Sequence, residues 1–218
     1  MNQATINFIE DLKKDRNVVG IILFGSWARG NNRPNSDVDL VVILKKGYKR
    51  VVEYREGQAF EVIYATNKDA FDFWESHRDE AAGQWEVAKI LYDADGTIAE
   101  LKERVEKVLS DGKQAINDTQ KAQLRFDVED TLSYVEQILS SDPTTAALLL
   151  TNKVITLTEL FFDLRRIWIP APKQRLAKIA ENSPELHNLL VDFYNENSQF
   201  NQKLELVRRM LPVVFDVR

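Results

Sequence analysis

An apolar run, Val18-Val19-Gly20-Ile21-Ile22-Leu23-Phe24, stops at Gly25, and after a polar loop a second run extends over Val38–Leu44. Both are short, β-branched and bounded by turn-forming residues, the pattern of strands, so the chain must begin by building a sheet. The segment between them reads Gly25-Ser26-Trp27-Ala28-Arg29-Gly30, a loop over 31–35, then Ser36-Asp37-Val38-Asp39-Leu40. A strand that ends in Gly-Ser and passes into a short helical turn offers backbone N–H groups and a hydroxyl to phosphate oxygens, and glycine lets the backbone approach closely. Asp37 and Asp39 lie two apart at the start of a strand, so both carboxylates project from one face. Two hard oxygen ligands on a rigid strand suit Mg²⁺, which takes one or two carboxylates together with substrate phosphates.

Around this segment the pattern is mixed. Ile6, Ile9 and Leu12 recur among charges as one face of an amphipathic helix. Lys49–Arg55 and 59–65 read as two further strands joined by Glu56-Gly57 as a hairpin turn. Asn67 is placed to cap a helix containing Phe71 and Trp74, and 89–92 is a last short strand ended by Asp93-Ala94-Asp95-Gly96. Beyond about Thr97 strand signals give way to long helical patterns. Asp142-Pro143 and Ser183-Pro184 each set an N-cap residue before a proline at the first helical position, and Trp168-Ile169-Pro170-Ala171-Pro172 breaks the chain between two helices. The expectation is an α+β chain: a mixed-sheet domain with flanking helices over 1–98, then a bundle of four or five helices over 99–218.

Composition narrows the chemistry. Cysteine is absent, which removes disulfides, thiolate zinc sites and cysteine nucleophiles. The formal net charge is -5, and neither half is basic: residues 1–100 carry 13 Lys+Arg against 17 Asp+Glu, and 101–218 carry 16 against 17. A long nucleic acid is therefore a poor partner. The N-terminus has no secretory pattern and the longest apolar runs fall short of a membrane span, so the expected location is the cytoplasm. Monomer and homodimer are both compatible with the sequence.

One acid sits among apolar neighbours, Glu61 in Phe60-Glu61-Val62-Ile63-Tyr64. Burying it without a charged partner is costly, and a metal would supply that partner. The alternative is the solvent face of an edge strand. His77 and His187 lack a third ligand at helical spacing and read as surface or capping residues. Lys45, Lys46, Lys49 and Arg50 read as a solvated hairpin in preference to a triphosphate or polynucleotide contact, and Phe161, Phe162 and Trp168 as bundle core in preference to an acceptor-stacking platform. Asp127, Glu129, Asp130, Glu159 and Asp163 are either solvated helix faces or contacts for a cationic acceptor, with the first reading preferred for most.

Gly25-Ser26, ten intervening residues and Asp37-Val38-Asp39 together resemble the signature of the polymerase-β-like nucleotidyltransferases, at the spacing of their minimal and antibiotic-modifying branches. The helical second half is similar in architecture to the bundle of aminoglycoside and lincosamide nucleotidyltransferases. The resemblance implies that Gly25 and Ser26, with Ser36 and Arg29, bind a nucleoside triphosphate. It also implies that Asp37, Asp39 and Glu61 are the catalytic acids and bind Mg²⁺, Glu61 as ligand or base. The implied reaction moves a nucleoside monophosphate, AMP from ATP, onto a hydroxyl of a small molecule such as an antibiotic. Adenylylation of a protein, as in toxin–antitoxin pairs, and a non-catalytic nucleotide-binding module are the other readings.

Overall fold

The computed structural model describes residues 1–195 and 199–216. By contact the chain divides into two compact units, Met1–Asp111 and Gly112–Arg218.

The first unit runs α1 (Gln3–Lys14), β1 (Val18–Leu23), α2 (Gly25–Arg29), β2 (Val38–Leu44), β3 (Lys49–Arg55), β4 (Gln58–Thr66), α3 (Asn67–Ser76), α4 (Arg78–Trp85), β5 (Lys89–Asp93) and α5 (Thr97–Ser110). Its strands form one mixed sheet in the order β3-β4-β2-β1-β5. Only β2 and β4 run parallel; the other pairs are antiparallel. All six residues of β1 are buried. Alternation along the strands sorts the apolar side chains onto two faces. On one, Ile21, Leu23, Leu40, Val42, Phe60 and Val62 pack with Phe8 and Ile9 of α1, and the Phe8 and Phe60 rings meet at 4.6 Å. On the other, Val19, Ile22, Val41, Ile43 and Ala65 are covered by Ala70 and Trp74 of α3, Ala81 and Trp85 of α4, and Ile98, Leu101 and Val105 of α5. A Cβ at Gly20 would lie 2.2 Å from Ile98 Cδ1, so glycine there lets α5 cross the sheet closely.

The Glu56-Gly57 turn is where the sequence places it. Both residues have positive φ, 50° and 79°, the conformation that matches a two-residue hairpin to strand twist. The α3 cap differs by one residue from expectation: Thr66, not Asn67, accepts the Asp69 N–H. A β-branched hydroxyl residue ending β4 serves both strand and cap, which periodicity alone does not separate. Helix α4 has no counterpart in the sequence reading.

The second unit has five helices among the described residues: α6 (Asp118–Ile138), α7 (Pro143–Leu164), α8 (Pro172–Asn182), α9 (Pro184–Phe193) and α10 (Phe200–Phe215). The Asp142 and Ser183 side chains accept from the Thr145 and Leu186 N–H groups, with proline opening each helix. Asn117 and Gln120 form a reciprocal capping box on α6. Leu132, Val135, Leu150, Val154, Phe161, Phe162, Val207, Met210 and Phe215 make the core. Arg165 donates to the Val213 and Val214 carbonyls at 2.8 and 3.2 Å, tying the end of α7 to α10. Among the described residues α7 alone is long and apolar enough to cross a membrane, and its Ala146, Leu150, Val154, Leu157 and Phe161 line this core.

Candidate active site

The turn that leaves β1 is set by packing beneath it and by a glycine at its corner. Phe24 sits against Trp74 and Trp85, with ring centroids 5.9 and 5.8 Å away, and the two indoles meet at 5.0 Å. Such tilted and edge-on contacts rigidify the wall from which α2 starts. The Phe24 N–H donates to the Asp39 carbonyl at 2.9 Å, fastening the end of β1 to β2 at the second acid. Gly25 follows with φ 65°, and an added Cβ would stand 1.7 Å from Asp39 Oδ2. The Asp39 carboxylate therefore occupies the space a side chain at residue 25 would need. Helix α2 lasts only to Arg29, with Gly30 in the left-handed conformation closing onto the Ser26 carbonyl at 3.0 Å. Ala28 donates the first bond of this helix, to Phe24, so the N–H groups of Ser26 and Trp27 precede it in the turn.

The loop over 31–36 is stitched back to the sheet through Ser36. Its hydroxyl accepts the Arg33 N–H at 2.9 Å, and its own N–H donates to the Arg33 carbonyl at 3.0 Å. The Ser36 carbonyl accepts from Gln58 Nε2 at 2.8 Å and Trp27 Nε1 at 3.3 Å. Gln58 is buried, donates also to the Ala59 carbonyl, and accepts from Asn2, the residue that caps α1. Asp37 thus leaves a loop whose last carbonyl is held from two sides.

Asp37 immediately precedes β2 and Asp39 is the second residue of the strand, with Glu61 beside Asp39 in the parallel register of β4. Asp37 is exposed; Asp39 and Glu61 are half-buried. One carboxylate oxygen from each of the three lies within 4.8 Å of the others. β4 is not an edge strand: β3 lies outside it and pairs Val52 with Glu61. Arg50, one step diagonally along β3, donates from Nε to Glu61 Oε1 at 3.0 Å and from Nη2 to the same oxygen. The Glu61 carboxylate pushes the Arg50 guanidinium further above its ordinary value, so Arg50 is a permanent cation at this acid. Three clustered carboxylates, one of them seated where Gly25 has no side chain, form a hard oxygen donor set that fits a divalent cation.

The sequence-predicted residues thus fall into two groups. Gly25, Ser26, Asp37, Asp39 and Glu61 come together at one end of the sheet. Ser36 adjoins them, with its hydroxyl bonded within the loop, and Arg29 points Nη2 at the Gly83 carbonyl, 2.9 Å away, joining α2 to α4. His77 stacks on Phe73 at 4.5 Å, and neither histidine belongs to the acidic group. In the helical unit Glu159 pairs with Arg175 at 2.7 Å, Asp163 with Lys113 at 2.5 Å and Glu129 with Arg125 at 2.9 Å. Phe161 and Phe162 are core, as expected, whereas Trp168 is half-buried with Lys113 over its ring at 5.7 Å. Arg50 is solvated, as the sequence reading has it, but it is also the ion-pair partner of the third acid, which that reading missed. A two-residue turn at Glu56-Gly57 fixes Val52 opposite Glu61, and counting that register would have brought Arg50 to the site.

The sequence profile of the nucleotidyltransferase domain matches residues 6–128, more than half of the chain and the whole of the acidic site. The fold is similar to that of a nucleotidyltransferase-like protein from Exiguobacterium sibiricum 255-15, at a TM-score of 0.52 and 12% identity over 98% of this chain and 74% of that one. No curated protein matches the sequence. At that identity the solved structure speaks for the fold; the profile speaks for the family, whose members take a nucleoside triphosphate and usually use divalent metals. The chain belongs to the nucleotidyltransferase domain family and is a transferase of nucleoside monophosphates.

Proposed function

We propose that this protein is a Mg²⁺-dependent adenylyltransferase that moves AMP from ATP to a hydroxyl of a small molecule, with an antibiotic as the leading kind of acceptor. The observation that carries the reading is the convergence of Asp37, Asp39 and Glu61 within 4.8 Å, beside the Gly25-Ser26 turn. In this reading the three carboxylates hold Mg²⁺, which when bound supplies charge neutralisation at the triphosphate. Gly25 and Ser26 bind the β- and γ-phosphates through the N-terminal turn of α2 and the Ser26 hydroxyl. Arg29 and Ser36 flank them, Arg29 as a phosphate contact and Ser36 as the anchor of the loop leading to Asp37. The acceptor oxygen forms a bond to the α-phosphorus as the bond to the bridging oxygen breaks, and pyrophosphate leaves with that electron pair. The hydroxyl proton passes to the Glu61 carboxylate.

A small acceptor suits a chain in which neither half carries the basic excess a polynucleotide would call for. The helical unit is the proposed acceptor-recognition part, and the cytoplasm, where triphosphates are held, the proposed location. The test is incubation with ATP labelled in the α-phosphate, Mg²⁺ and panels of hydroxylated antibiotics and cell proteins. Label transferred to a small molecule, with equimolar pyrophosphate, supports the reading. Label transferred to protein alone would replace it with protein adenylylation. ATP binding without any pyrophosphate release would make the chain a nucleotide-binding module.

A further inference from the structure

Glu61 serves two cations in this fold, and one of them is built into the chain. Arg50 reaches it diagonally from the edge strand through Nε and Nη2, both on Oε1. The pair is unequal in exposure: the Arg50 side chain is 64% exposed and the Glu61 side chain 31%. The carboxylate is thus held by its strand between β2 and β3, while the guanidinium sits on a long, solvated stem that can leave. Bringing Asp37, Asp39 and Glu61 within 4.8 Å sets three negative charges against one another. Arg50 cancels one of them, and a divalent ion on the same carboxylates would meet it as a like charge.

We propose that Arg50 is a positioning residue that regulates the charge of the acidic site, holding Glu61 against premature metal loading and turning to the triphosphate when nucleotide and metal arrive together. The proposal rests on the metal-site reading of the three acids given above. Competition follows from the shared oxygen: a cation drawing on Glu61 weakens its bonds to Arg50, and the freed guanidinium then lies beside an anionic ligand. Bidentate N–H donors suit phosphate oxygens as well as they suit a carboxylate. The consequence is a coupling of opposite signs. Arg50 lowers affinity for the metal alone and raises affinity for the metal–triphosphate pair.

The experiment is calorimetric titration of MnCl₂ into the full chain without nucleotide, and of a non-hydrolysable ATP analogue into the Mn²⁺-saturated protein. Arg50→Gln should bind Mn²⁺ on the order of tenfold more tightly than wild type, the effect of removing one positive charge several ångströms from a divalent ion in a partly solvated site. The same variant should bind the analogue about tenfold more weakly. In a Glu61→Gln background the gain from Arg50→Gln should be smaller, since the ion pair that competes with the metal is gone and only the through-space repulsion remains. Equal or weaker Mn²⁺ binding by Arg50→Gln overturns the proposal, and unchanged analogue affinity overturns its second half. Asp39→Asn, titrated in parallel, separates the two layers. If Asp39→Asn binds Mn²⁺ like wild type, the metal-site reading itself fails and takes the proposal with it. If Asp39→Asn loses Mn²⁺ while Arg50→Gln changes nothing, the reading survives and Arg50 has no such role.

Discussion

Gly25 and Asp39 share one volume: a Cβ on the first would stand 1.7 Å from Oδ2 of the second. The glycine is therefore needed twice, for its φ of 65° and for the room it gives the acid. Gly25→Ala should strain the backbone by about 1–2 kcal/mol, the penalty of a left-handed alanine. It should also push the Asp39 carboxylate aside. Displacing a catalytic group by about 1 Å costs on the order of 10²-fold in rate. Transfer by Gly25→Ala within threefold of wild type would show that Asp39 is not the acid that matters.

Ser26 carries a narrower expectation. Ser26→Ala should weaken triphosphate binding by on the order of 1 kcal/mol or more, as when a hydrogen bond to a charged group is lost. AMP affinity should change much less, because the proposed contacts are to the β- and γ-phosphates. Calorimetry with both ligands checks this, and equal losses would move the phosphate cradle elsewhere.

Gln58 links three pieces of the first unit: Asn2 at the cap of α1, the Ala59 carbonyl and the Ser36 carbonyl. Gln58→Leu should cost about 1 kcal/mol or more in urea unfolding, since it removes the hydrogen bonds of a buried amide that join three segments. Because the Ser36 carbonyl leads into Asp37, Mn²⁺ affinity should fall as well. A variant equally stable but unaltered in metal binding would mean that the loop holds its shape without the glutamine.

Much of this site was legible before any coordinates. The spacing of Gly25-Ser26 and Asp37-Val38-Asp39 is a local pattern, and strand alternation alone puts the two aspartates on one face. Glu56-Gly57 announced the hairpin because the turn demands positive φ. What stayed hidden depends on register or on packing between distant residues. Arg50 meets Glu61 through the β3–β4 hairpin register, and the pair reaches Asp39 only through the parallel β2–β4 pairing, which no local pattern announces. Helix α4 buries just Ala81 and Trp85 and begins at His77 without a side-chain cap, so its sequence carries neither a periodic apolar face nor a start signal. Composition turns helical at Thr97, yet α5 sends Ile98, Leu101 and Val105 into the core of the sheet. An amphipathic stripe says that a helix is covered, not by what.

Glu61 bears on both stability and turnover. Glu61→Gln removes one of three crowded charges and also the Arg50 ion pair, itself worth about 0–1 kcal/mol at such exposure. In EDTA its Tm should equal or exceed that of wild type, and most transferase activity should be gone. Added Mg·ATP should stabilise wild type more than the variant, by linkage. Full activity in Glu61→Gln would show that the reaction needs no third acid from β4; Glu53, the neighbouring acid on β3, lies on the other face of the sheet and pairs with Arg55.

The central claim is that Asp37 and Asp39 hold the metal for nucleotidyl transfer. Asp39→Asn keeps the shape that fits over Gly25 and removes the charge. Its rate of pyrophosphate release from ATP, at saturating Mg²⁺ and with an acceptor on which wild type turns over, tests the claim most directly. The account predicts a loss of at least about 10²-fold, in the range seen when a single electrostatic contact to the transition state is removed, with a thermal melt in EDTA equal to or above that of wild type. Release at the wild-type rate would contradict it.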